Sequence, residues 1–140
     1  MPGRSTIPVV LDTNILVSAL LSPFGPPARV FDLALAGEIR LVYDDRIVAE
    51  YREVLARRRF GFALEAIADV MAFIEAEGES VIALPLAVVL PDPDDLPFLE
   101  VAAQADATLV TGNRIHFPDV VCGRVRVLAP AEFLRVWQQE

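Results

Sequence analysis

The chain of 140 residues has no lysine, one cysteine (Cys122), one histidine (His116) and one tryptophan (Trp137). Each scarcity excludes something. A lone cysteine closes no internal disulfide, and with a lone histidine it cannot furnish a thiolate zinc site, so any metal must be held mainly by oxygen. No apolar run approaches the length needed to span a bilayer. The opening MPGRSTIPVV lacks the longer apolar stretch and small-residue cleavage site of a signal peptide, so a cytoplasmic protein with no membrane partner is expected. No Gly-rich loop follows the first apolar segment, which argues against a nucleotide-binding module of that kind.

What is present describes one well-packed body. With 54% hydrophobic and 23% charged residues the composition is globular, and 140 residues suffice to bury roughly two-thirds of the unfolded surface in a single domain, residues 1–140. The net charge of −8 argues at first against a polyanionic partner. The way the charge is distributed weakens that objection. All twelve basic residues are Arg, none lies between Arg59 and Arg114, and that interval holds ten acids, leaving mildly basic ends and a dense spot at Arg57-Arg58-Arg59. Arg grips phosphate bidentately, so the triple Arg is a candidate phosphate contact, with a solvated helix end as the equal alternative.

The pattern predicts strands separated by helices. Residues 7–11 are short, apolar and β-branched without alternation, which suits a strand buried on both faces. Helices are expected over 15–21, stopped by Ser22-Pro23, and from Pro26-Pro27 through 36, ended by Gly37. A second strand at 41–43 precedes a helix over 46–58, whose apolar stripe leaves Glu50 on its flank. Further helices are read at 62–76, 96–105 and 130–138, and further strands at 81–84, 108–111 and 125–128. Such alternation implies a three-layer α/β/α fold around a central, mostly parallel five-stranded sheet. Ligands of such sheets bind beyond the carboxyl ends of the strands.

Asp12 interrupts VVLDTNILVSALLS immediately after the first strand, where a desolvated carboxylate needs compensation. Thr111-Gly112-Asn113 follows the fourth strand, Asp95 opens a helix in PDPDDLPFLEVA, and Glu50 projects from the helix after the second strand. Gathered at one rim, Asp12, Glu50 and Asp95 would repel one another unless a cation sat among them. Mg²⁺ or Mn²⁺ is the natural occupant, able to activate a water and stabilise the leaving oxygen of a phosphodiester. Taken singly, Asp12 and Asp95 also read as helix N-caps and Glu50 as a surface partner of Arg46 or Arg57. Asp92 and Asp94 are alternatives to Asp95. His116 reads as a turn or core-edge histidine, and Ser18 either faces the same cleft or packs in the core.

These segments resemble the PIN domain, the fold of VapC-like toxin ribonucleases in bacterial and archaeal toxin–antitoxin pairs. The resemblance is carried by VVLDTNILVSALL, IVAEYREVLARRRF, DPDDLPFLEVAAQADATLVTGN and TGNRIHFP leading to VRVLAPAEFL, nearly the whole chain in the family's order. It implies a metal-dependent endoribonuclease: Mg²⁺ or Mn²⁺ on Asp12, Glu50 and Asp95, RNA as substrate, a cognate antitoxin, and often a homodimer. Asn113 stands where many members carry an Asp, and would orient a water or a phosphate oxygen. Thr13, Asn14 and Thr111, with Arg57, Arg58 and Arg59, are the expected substrate contacts. The rival readings are a phosphohydrolase, disfavoured by the missing lysine, and a catalytically weak PIN-like module that binds RNA or protein.

Overall fold

A computed structural model of the chain describes residues 6–139. Residues 1–5, part of the segment read for a leader, lie outside the described residues. Strand β1 (Ile7–Leu11) leads into α1 (Thr13–Leu21) and α2 (Pro26–Leu35), and β2 (Ile39–Tyr43) into α3 (Asp45–Leu55) and α4 (Leu64–Glu77). Then follow β3 (Glu79–Ser80), α5 (Leu96–Ala105), β4 (Thr108–Val110), α6 (Asp119–Cys122), β5 (Val127–Leu128) and α7 (Pro130–Gln138). The five strands form one sheet in the order β3-β2-β1-β4-β5, and every pairing is parallel.

Val9, Val10 and Leu11 of the central strand are wholly buried, as a strand covered on both faces must be. The chain moves outward from β1 to β3 and then returns past β1 to β4. Right-handed crossovers running in opposite directions put α1 and α2 on one face and α5 on the other. The direction reverses between β1 and β4. That reversal opens a crevice at the carboxyl ends of the two central strands.

Local chemistry explains most element boundaries. Pro26 and Pro130 sit in the first turns of α2 and α7, where a missing N–H is harmless. Asp44 caps α3, its Oδ1 accepting from the Ile47 N–H at 3.0 Å. The helix read over 46–58 ends earlier, at Leu55, and the Arg cluster lies on a 3₁₀ turn, Arg58–Phe60, closed by Gly61 at φ 67°. The strand expected at 81–84 is displaced to Glu79–Ser80. The reason is length, because β2 ends at Tyr43, already paired with Ser80, and only the Val81 N–H still reaches its carbonyl, at 2.9 Å. Beyond it residues 81–91 are irregular, with Ile82, Leu84 and Val89 exposed.

A buried carboxylate pins that irregular stretch. Glu100 on α5 is 4% exposed and accepts from Arg46 Nη1 at 2.7 Å and from the Leu86 N–H at 2.8 Å. Among the described residues no helix is long and apolar enough to cross a membrane.

Candidate functional site

Asp12 sits at the reversal point. Its backbone N–H donates to the Val110 carbonyl at 2.9 Å, which extends the β1–β4 ladder by one residue and fixes its side chain over the rim. The carboxylate is 5% exposed, and its Oδ2 accepts from the Thr111 hydroxyl at 2.7 Å and the Asn14 amide at 3.1 Å. Asn14 Oδ1 in turn accepts from the Gly112 N–H at 3.0 Å, and Thr111 Oγ1 from the Asn113 N–H at 3.0 Å. The two loops are thus laced together. Gly112 permits the close approach, since a Cβ there would meet Asn14 Oδ1 at 3.3 Å.

Glu50 reaches the same rim from α3, where it accepts the Thr13 hydroxyl. Tyr51, next in sequence and fully buried, donates its phenol to the Leu11 carbonyl at 2.6 Å, which docks α3 against the end of β1. In the sequence Tyr51 is simply one of the apolar residues recurring at helical spacing along 46–58. Neither surface partner expected for Glu50 takes that role: Arg46 pairs with Asp44 and Glu100, and Arg57 with Glu53.

Asp95 holds the N-cap position of α5 yet makes no side-chain cap bond. Its Oδ2 lies 3.1 Å from His116 Nδ1 instead. One ligand atom each from Asp92, Asp95 and His116 falls within 4.8 Å of the others, the one such group of at least three His, Cys, Asp or Glu residues among those described. Thus Asp92 accompanies Asp95 rather than replacing it, while Asp94 is exposed and its backbone N–H is bonded by Asp92. His116 is brought in by a 3₁₀ turn, Arg114–His116, anchored by the buried ring of Phe117. The sequence placed His116 only on a turn ended by Pro118, and local spacing does not link it to Asp95, 21 residues away.

Charge couples the two halves of the site. Burial raises the Asp12 carboxyl above its ordinary value, opposed by hydrogen bonds from Thr111 and Asn14 and by the charge of His116. Burial likewise raises Glu50, with the charge of Asp12 adding to it. Asp95 is pushed up to about 6, by burial first and then by the charges of Asp12 and Asp92. Like charges in a desolvated pocket produce this pattern, and a divalent cation relieves it. The donor set, carboxylate oxygens with one imidazole, suits such an ion.

The remaining candidates are placed around this core. The Asn113 side chain is exposed, and Asn113 borders a cleft of about 440 Å³ with Asn14, Ser18, Gly112 and Pro130, so Ser18 faces the cleft. The hydroxyl protons of Thr13 and Thr111 are both donated to site carboxylates. Arg57 is bonded to Glu53 at 2.8 and 3.0 Å, Arg59 lies 4.9 Å over the Phe60 ring, and the charge of Glu50 reaches Arg57. Asp119, an exposed acid at the start of α6 and not one of these candidates, faces Arg114 at 3.8 Å.

A sequence profile of the PIN domain matches residues 8–115. An uncharacterized protein of Methanocaldococcus jannaschii is 31% identical over 114 residues, covering 77% of this chain and 72% of that protein. Among solved structures, VapBC2 from Rickettsia felis bound to a DNA fragment from their promoter gives a TM-score of 0.58 at 19% identity, over 86% of this chain and 97% of that one. FitAB bound to an IR36 DNA fragment gives 0.62 at 18%, over 87% and 94%. FitAcB from Neisseria gonorrhoeae gives 0.58 at 18%, over 88% and 98%. At these identities the structural likeness is one of fold.

Proposed function

Since this chain belongs to the PIN-domain family, we propose that it is a metal-dependent endoribonuclease hydrolysing RNA phosphodiester bonds, the toxin of a toxin–antitoxin pair. The observation that carries the reading is Asp12. A carboxylate 5% exposed at the reversal point of a parallel sheet, clamped by Thr111 and electrostatically coupled to Glu50 and Asp95, is poorly explained as structure. It occupies the N-cap position of α1 but makes no side-chain cap bond to that helix.

In this reading Asp12, Glu50 and Asp95 hold Mg²⁺ or Mn²⁺. Bound there, the ion supplies a water activated as nucleophile and neutralises charge on the phosphate. Thr111 and Asn14 fix the Asp12 carboxylate and Thr13 orients Glu50, so these two carboxylates are oriented before substrate arrives. The exposed Asn113 amide, beside the cleft, orients a water or hydrogen-bonds a phosphate oxygen. Arg58 and Arg59 grip the RNA backbone beyond Glu50, while Arg57 is already neutralised by Glu53.

VapBC2 and FitAB are complexes bound to DNA fragments. By analogy the partner of this chain is a cognate antitoxin protein; that the acting form is a cytoplasmic homodimer is proposed from the family resemblance alone. The deciding experiment is RNA cleavage with Mn²⁺ by wild type and Asp12→Asn. Loss of about two or more orders of magnitude in rate is expected for the variant. Equal residual activity would reject catalysis in favour of a binding module.

A further inference from the structure

The histidine of this site has no assigned task. It stands on a turn held by Phe117, and the Arg114 of that turn is paired with Glu132 of α7 at 3.2 Å, so the imidazole is presented by a fixed piece of backbone. Its Nδ1 edge faces the Asp95 oxygen at 3.1 Å. Two adjacent ligands of an octahedral ion, each about 2.1 Å from it, stand about 3.0 Å apart. The third member, Asp92, keeps a ligand atom within 4.8 Å of both, and small rotamer changes would bring all three around one centre. Asp95 is free for this, since its side chain declines the helix cap that its position offers.

We propose that His116 is a nitrogen ligand of the ion site, completing it with Asp92 and Asp95, and that it tilts the site away from Mg²⁺ toward ions that accept imidazole. Mg²⁺ demands oxygen, whereas affinity at mixed nitrogen and oxygen sites climbs from Mn²⁺ to Co²⁺. Affinity therefore rises from Mg²⁺ through Mn²⁺ to Co²⁺. The proposal rests on the metal-dependent reading above and deepens it by naming the donor that sets ion choice.

Calorimetric titration of Mg²⁺, Mn²⁺ and Co²⁺ into wild type, His116→Ala and Asp95→Asn tests it, with the Co²⁺ absorption spectrum as a second readout and thermal unfolding as the check on folding. Removing the imidazole is expected to cut the Co²⁺-to-Mg²⁺ affinity ratio by about tenfold or more and to shift the Co²⁺ bands, with Mg²⁺ affinity little changed. Asp95→Asn is expected to weaken all three ions. An unchanged ratio in His116→Ala overturns the histidine as ligand and leaves the nuclease reading intact. Loss of Co²⁺ binding in His116→Ala with none in Asp95→Asn overturns it too, marking a lone surface imidazole. Failure of wild type to bind any of the three ions removes both the proposal and the metal-dependent reading.

Discussion

Asp95 shows how a single side chain ties the site to pH. Its ordinary value is 3.8, and in the folded chain it is pushed up to about 6 by burial and by its acidic neighbours. Because the folded value lies above the unfolded one, the favourable contribution is complete below about pH 4 and is lost as pH rises through about 6. Asp12 and Glu50, also raised, act in the same direction. The metal-free protein in chelator is therefore expected to unfold at lower urea concentration near neutral pH than at about pH 5, and Asp95→Asn to flatten that slope. Saturating Mn²⁺ should reverse it, because the ion favours the ionised carboxylates. A urea midpoint independent of pH across this interval would contradict the coupling. Asp12 was legible in the sequence because an acid inside an apolar run demands compensation, and the rim position followed from the strand before it. His116 was not, since a turn residue 21 positions from Asp95 gives no periodic signal.

At the level of elements, the helices other than the single turn α6, which the sequence did not announce, and the four strands at 7–11, 39–43, 108–110 and 127–128 follow from local rules: proline at first turns, glycine after last ones, and β-branched runs. The third strand fails that logic, because the apolar residues 81–84 look like a strand but outrun the partner that would pair them. Strand pairing is a property of two segments, and one segment cannot announce it. Glu100 is a similar case, a charge within an apolar helix whose partners lie 54 and 14 residues away. Gly78, between α4 and β3, marks a tight junction: a Cβ there would stand 2.5 Å from the Ile74 carbonyl oxygen and 2.8 Å from that of Leu41. Both obstacles are backbone. Gly78→Ala is therefore expected to cost about 1–3 kcal/mol in urea unfolding, with RNA cleavage by the folded fraction unchanged because the junction is not part of the acidic rim. A neutral effect on stability would mean that α4 shifts freely against the sheet.

For the molecule as a whole the question is how a chain of net charge −8 engages RNA. The densest basic cluster is Arg57 to Arg59, of which Arg57 feels the charge of Glu50 and is bonded to Glu53. At most two charges thus remain for phosphate, and each phosphate neutralised contributes about 0.7 to the logarithmic salt slope for a single strand. Replacing all three by Gln is expected to weaken binding of a single-stranded RNA and to reduce the slope by about 1.4, measured by fluorescence anisotropy across a salt series. An unchanged slope would mark the cluster as surface charge. The sequence showed where the arginines are concentrated, but not that Glu53 and the Phe60 ring engage two of them.

The clamp on Asp12 has a consequence in time as well as in space. Thr111 lies 99 residues downstream of the carboxylate it holds. A ribosome must therefore extrude the whole intervening segment, from α1 through β4, before the two can meet. On the proposed reading, a nascent copy stays harmless to the message and machinery producing it until that segment has emerged and Thr111 has closed on Asp12.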